Sequence, residues 1–252
     1  MKKFFKNKVR CSICESKNLL KIIDLKKFPI TGIYIKKKIQ KNFPYYIDQD
    51  LKLCMECGHL QLGKFVSPEL LYNNLYSNRT SENHLSTNGI SFFKSFLYEV
   101  TKKKTFGNML EVGCSDIILI ESLKNNFNHL YGIDPIWISK AKPKNKKFTI
   151  IGDFVEKIDF KKQIRNKIDI FISAHNLEHI ENPLDMLKTV LRNADNKTTF
   201  FIEVPDSDIM IKNLRFDQIF HQHYHYFNFN SLNNLIVRLG CKIIKKKINP
   251  NF

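Results

Sequence analysis

Two cysteine pairs, Cys11-Ser-Ile-Cys14 and Cys54-Met-Glu-Cys57, restrict this chain more than any other feature of it. A CxxC turn presents two thiolates to one ion, and two such turns complete a tetrahedral zinc site. Four soft ligands leave no open coordination position, so the expected zinc is structural, held by Cys11, Cys14, Cys54 and Cys57. Two independent cysteine pairs are the alternative. His59, just past the second pair, is expected to neighbour the site rather than to ligate it. Pro29, Gly32, Pro44 and Gly58 punctuate short strand-like runs around the cysteines, as in a zinc ribbon with a long extruded loop. Residues 1–75 are therefore read as a small zinc-binding module, and residues 76–252 as a second domain.

Strand and helix signals alternate in that second domain. Ile90, Phe93, Phe96, Leu97 and Val100 recur at helical spacing between about Ser86 and Lys103. Strands are expected at Met109–Val112, Leu130–Ile133, Phe148–Ile151, Ile168–Ser173 and Thr199–Val204. Helices are expected to start at Ile117–Leu123 and to run through Leu184–Leu191. Such alternation implies an α/β, mainly parallel, doubly wound sheet.

The chemistry is expected at the ends of these strands. In Glu111-Val-Gly113-Cys-Ser-Asp116, Gly113 suits a turn where a Cβ would strike a ligand. Ser115, Asp116 and Ile117 do not supply the further glycines of a dinucleotide fingerprint, which argues against NAD or FAD. Asp134 ends the second strand, where a carboxylate can accept both ribose hydroxyls, and Asp153 follows the third, within reach of an adenine amine. Three acidic signals in register at successive strand ends point to a nucleoside pocket.

Two histidine patterns need placing. His175-Asn-Leu-Glu178-His179 spells HxxEH, but it follows a strand directly and precedes Pro183, so it belongs at a sheet edge lining the cofactor pocket rather than on a protease helix. His221, His223 and His225 alternate, so an extended segment would place all three on one face. A metal site, a substrate-facing loop, and aromatic packing with Tyr224, Tyr226 and Phe227 are all compatible with that spacing.

Composition narrows the partners. The formal charge is +17, yet the excess is nearly all lysine, with few of the arginines that fork onto phosphates and base edges. Nucleic acid is therefore not the expected partner, although a basic surface helps an anionic substrate approach. The charged start has no apolar stretch behind it and no run is long enough to span a bilayer, so neither a signal peptide nor a membrane span is expected. Paired CxxC thiols must stay reduced, which agrees with a cytoplasmic address.

Taken together, CSIC, LCMECGHLQL, MLEVGCSD, YGIDP, AHNLEHI, FIEVP and FDQIFHQHYHYF resemble, in that order, class I S-adenosylmethionine-dependent methyltransferases with a Rossmann-like sheet. More narrowly they are similar to the zinc-module-containing sugar C-methyltransferases. The resemblance implies S-adenosyl-L-methionine and structural Zn2+ as cofactors, and a nucleotide-linked sugar or other small glycan precursor as substrate. It places the cofactor on Glu111, Gly113, Asp134, Asp153 and His175, and catalysis on His223 with His221. The family's Tyr-His-Glu-His segment reads Phe220-His221-Gln222-His223 here, so an oxyanion donor and an orienting carboxylate are replaced, and Ile117 stands where a glycine usually follows. The chain also stops at Phe252, short of the family's C-terminal lobe, which a partner chain could supply. Two further readings stand beside the enzyme: a degenerate methyltransferase fold acting as a scaffold, and a zinc-ribbon RNA methyltransferase.

Overall fold

The computed structural model describes residues 4–31, 44–72 and 84–249. Its described residues fall into two compact units. One gathers those of Met1–Asn78 with Glu178–Leu184 and Val204–Lys242; the other gathers those of Arg79–Leu177, Asp185–Glu203 and Ile243–Phe252. The zinc-module region thus shares a unit with two later stretches of chain.

The first part of the chain forms β1 (Phe5–Asn7), β2 (Leu19–Leu25), β3 (Gln49–Cys54), β4 (Leu60–Leu62), β5 (Lys64–Val66) and a single helical turn, α1 (Pro68–Leu71). β1 and β5 pair antiparallel, and β2, β3 and β4 form an antiparallel sheet. Gln49, Leu51 and Cys54 are buried along β3, while Asp50 and Lys52 are only half-buried. That alternation is what a sheet with one packed face produces.

The second unit contains α2 (His84–Thr101), β6 (Phe106–Val112), α3 (Ile118–Leu123), β7 (Phe127–Ile133), β8 (Phe148–Ile151), α4 (Phe160–Gln163), β9 (Ile170–Ala174), most of α5 (Pro183–Leu191) and β10 (Thr199–Glu203). Its five strands are parallel in the order β10-β9-β6-β7-β8. Met109–Val112 and Ile170–Ser173 are buried without interruption, as in strands covered on both faces. Phe93 and Leu97 of α2 are buried one turn apart in the same core as Ile120, Leu130 and Ile172. The expected doubly wound α/β sheet is present. Ile168–Asp169 lies outside β9, because the Asp169 carboxylate accepts the Asn108 N–H at the start of the neighbouring ladder.

The chain then returns to the first unit with α6 (Ser207–Lys212), β11 (His225–Tyr226) and α7 (Phe229–Arg238). β11 pairs antiparallel with β4, extending the first sheet to the order β11-β4-β3-β2. Tyr224, fully buried, stacks on Phe65 at 4.5 Å and donates its hydroxyl to the Val66 carbonyl. Asn228 caps α7 with a reciprocal capping box through Ser231. Among the described residues no helix is long and apolar enough to cross a membrane.

Candidate functional site

The four cysteines converge. Cys11 Sγ lies 3.6 Å from Cys57 Sγ and Cys14 Sγ 3.4 Å from Cys54 Sγ, with all four sulfurs within 4.8 Å of one another. A tetrahedral ion with bonds of about 2.3 Å sets its sulfurs about 3.8 Å apart, so the cage has the size of a zinc site. Cys11 is drawn down to about 5, chiefly by its hydrogen bond with Cys57, while Cys14 is raised to about 11, mainly by burial, and Cys57 is pushed up by Cys11. Four crowded thiols cannot all ionise without a cation, so the donor set fits zinc. His59 stays outside the cage: its ring meets His225 Nδ1 at 3.1 Å.

In the second unit, a pocket of about 110 Å3 opens at the C-terminal ends of the strands. Glu111 at the end of β6, Glu203 at the end of β10, Asp116 and His175 contribute its polar lining, and Phe93, Ile118 and Leu119 its apolar lining. Glu111 is 5% exposed and its Oε2 has no hydrogen-bond partner among the described residues. Burial, and then the charges of Asp134 and Asp116, push its carboxyl up to about 8. Gly113 has φ +84°, and a Cβ there would lie 2.5 Å from the Asn176 side chain, so only glycine fits. His175 sits at φ +47° and places Nε2 3.7 Å from Glu203 Oε2.

Not every expected residue joins this pocket. Asp134 lies beside it but spends its oxygens on backbone: Oδ2 accepts from Ser115 N at 2.8 Å and Oδ1 from Ile136 N at 2.9 Å. Asp153 lines a different cleft, of about 750 Å3, with His129, Tyr131 and Arg165, so it does not stand with Glu111. Ile117, expected to narrow the loop, is 7% exposed and packs into the core; it is not among the residues lining the pocket.

The histidine run lies in the first unit, and its members diverge because residues 220–223 turn instead of extending. His221 is fully buried, with Nε2 donating to the Ile47 carbonyl. His225 is buried between His59 and the Ile180 carbonyl. His223 instead packs on Phe220 at 4.0 Å and on His179 at 4.7 Å. His179 donates Nδ1–H to the Gln222 carbonyl at 2.8 Å, and burial lowers its ring to about 4. Gln222 uses both ends of its amide on Thr31, accepting from the hydroxyl and donating to the carbonyl. A glutamate could not make that second bond, which accounts for the amide at this position.

Residues 88–246, more than half of the chain, match the family model described as "Methyltransferase domain". The chain belongs to the methyltransferase-domain family. Residues 11–72 match a second model, described as "Putative zinc binding domain". The chain is 20% identical over 242 residues to the C-methyltransferase NovU of Streptomyces niveus, covering 93% of this chain and 56% of NovU. Solved structures of the plantazolicin methyltransferase BpumL with SAH and a monoazolic or a pentazolic desmethylPZN analog match with a TM-score of 0.50, at 19% and 18% identity. Each covers 63% of this chain and 65% of that one, a likeness of fold. The chain therefore spans little more than half the length of NovU and under two thirds of the solved chains.

The expected Rossmann-like methyltransferase sheet and zinc module are borne out. Sequence reasoning assigned no role to Glu203, although it stands in the middle of the quoted FIEVP stretch, at the end of β10. It placed Glu178-His179 with His175 at the sheet edge lining the cofactor pocket, whereas both residues sit beside His223.

Proposed function

We propose that the protein is an S-adenosylmethionine-dependent methyltransferase acting on a nucleotide-linked sugar or another small glycan precursor. One observation carries the reading: in a chain of formal charge +17, the pocket at the strand ends collects the carboxyl groups of Glu111, Asp116 and Glu203 against apolar walls. Acidic groups gathered out of water favour a cationic ligand. The donor carries an ammonium and a sulfonium, and when bound it supplies an electrophilic methyl group.

Glu111 Oε2 is the acceptor assigned to the donor's ammonium, and Gly113 leaves bare backbone for its approach. Asp134 holds the loop at Ser115 in place and thereby shapes the pocket. Asp153 and His221 have no part in this reading. His223 is the acid/base candidate that takes a proton from the acceptor's attacking atom. Phe220 offers no hydrogen bond to a developing oxyanion, which favours an oxygen or nitrogen acceptor over a carbon one. A zinc held by four thiolates needs a reducing compartment, which supports a cytoplasmic address.

Calorimetry with S-adenosylmethionine tests the donor assignment. Micromolar binding, weakened at least a hundredfold in Glu111→Ala, is the expected result. Labelled methyl transfer to a sugar-nucleotide fraction, lost in His223→Ala with donor affinity kept, tests the acceptor side. A second reading as a binding or scaffold protein is favoured by the pocket's volume of about 110 Å3, below the roughly 300–1,000 Å3 common for small-molecule sites. Folded protein that takes up no donor would establish that reading instead.

A further inference from the structure

We propose that Glu178, His179 and His223 form a site for a divalent first-row transition-metal ion, separate from the four-cysteine centre. Each offers one ligand atom, and these atoms lie within 4.8 Å of one another. Two imidazole nitrogens and one carboxylate oxygen are a donor set for ions such as Zn2+, Fe2+ or Co2+, and a poor one for Mg2+ or Ca2+.

The surroundings are built for coordination. Glu178 is 2% exposed, and a carboxylate taken that far from water is stabilised by a nearby cation. His179 donates Nδ1–H to the Gln222 main-chain carbonyl. A carbonyl can only accept, so the tautomer is set and Nε2 keeps its lone pair, 3.9 Å from Glu178 Oε1. A ring N–H anchored on a carbonyl is the usual outer support of a metal-binding histidine. Phe220 packs on one side of the His223 ring and His179 on another, which limits its rotation. His225, by contrast, lies buried with both ring nitrogens hydrogen-bonded to His59 and the Ile180 carbonyl, and His221 lies buried with Nε2 on the Ile47 carbonyl.

Bonds of about 2.0–2.2 Å bring ligand atoms to roughly 3.0–3.5 Å of each other, so an arriving ion draws the three inward by up to about 1 Å. Three protein ligands leave at least one position open, where an oxygen of a bound molecule coordinates and is polarised. This site does not require the methyl-transfer reading. It does alter one role within it, because a His223 nitrogen that holds the ion cannot also accept a proton.

The full chain, purified with zinc, is dialysed against micromolar CoCl2, and its total zinc plus cobalt is measured with its visible absorption. The wild type should hold a second equivalent of metal that adds no thiolate-to-cobalt charge-transfer band. His179→Ala and Glu178→Gln should each lose that equivalent and keep the cysteine-bound one, whose retention with native circular dichroism certifies the fold. Glu178→Gln, of nearly equal volume, decides the matter if His179→Ala unfolds. A wild type that stops at one equivalent overturns the proposal, as does a second equivalent that survives in Glu178→Gln. S-adenosylmethionine affinity measured on the same samples separates failure of this site from failure of the donor assignment.

Discussion

The Asp134 carboxylate accepts the main-chain N–H of Ser115 at 2.8 Å, tying the end of β7 to the loop that leaves β6. Ser115 has φ +43°, and its neighbours Gly113 and Ile117 have φ +84° and +60°. Alternate left-handed residues, one of them β-branched, are strained, and such a loop persists only where surrounding contacts over-determine it. Asp134 supplies one such contact, to Ser115, the Trp137 indole N–H donates to the Ser115 carbonyl as a second, and the buried Ile117 side chain is a third.

Asp134→Asn should therefore loosen the loop. The amide keeps one acceptor oxygen where the carboxylate served two N–H groups, and charged acceptors contribute about 1.5–3 kcal/mol each. A loss of about 2 kcal/mol in urea denaturation is expected, with donor affinity reduced about tenfold. Unchanged stability would show that Ser115 does not depend on this bond.

Gly113→Ala should disrupt the same loop more severely. The added Cβ meets Asn176 side-chain atoms at 2.5 Å in a backbone conformation that favours glycine. Strain of about 1–3 kcal/mol from the dihedral alone is expected, before the clash is counted. A melting temperature within one degree of wild type would contradict the geometry.

Glu111 makes stability depend on pH in an unusual direction. Below its ordinary value of 4.5 it is neutral folded and unfolded, and it adds nothing. Between 4.5 and about 8 the unfolded chain releases a proton that the folded one retains, so stability falls as pH rises. The slope is about 1.4 kcal/mol per pH unit, on the order of 3 kcal/mol by pH 7. Glu111→Gln should consequently stabilise the donor-free protein at pH 8, make no such difference at pH 4.5, and abolish donor binding. For the wild type, donor affinity should rise with pH up to about 8, because a cation favours the ionised carboxylate. Chemical denaturation across this range, with proton release followed by calorimetry in buffers of different ionisation enthalpy, measures both effects.

Buried histidines act in the opposite sense. In the metal-free protein, burial holds His59 near 3 and His179 near 4, below the ordinary 6.5. The unfolded chain gains their protons first, so each removes about 1.4 kcal/mol per unit as pH falls below 6.5. Together with His221 and His225, whose rings burial also lowers, the pair outweighs Glu111 and Glu203, which gain stability on acidification. Stability should fall between pH 6.5 and 4, and His59→Gln should flatten the slope by about half of the pair's contribution.

Chelation should act on the first unit. The cysteine cage joins the turn before β2 to the turn between β3 and β4, and metal binding of this kind contributes directly to folding. Removal of zinc, or Cys54→Ser, should unfold this sheet while circular dichroism retains the helices of the second unit. Loss of β-signal without loss of the strand order β10-β9-β6-β7-β8, followed by hydrogen exchange, is the expected pattern.

Local pattern was sufficient for the elements. Apolar runs at Met109–Val112 and Phe148–Ile151 and helical spacing through Val100 announced the sheet and α2, because burial of a repeating face is written into neighbouring residues. The CxxC spacings announced the metal cage for a similar reason: each pair is a local turn. Glu111 and Gly113 were legible as pocket residues because they belong to one strand end.

What the chain could not declare locally was the direction of side chains held by distant partners. Asp134 and Asp153 read alike, yet one is bound to Ser115 and the other faces a separate cleft. The three alternating histidines suggested one face, and a turn at residues 220–223 sent them to Ile47, His179 and His59. Sequence alone determined the parallel α/β sheet, the cysteine cage and the acidic strand end. Tertiary structure decided which carboxylates share a pocket and that Glu178, His179 and His223 meet, since those encounters depend on long-range packing rather than on spacing along the chain.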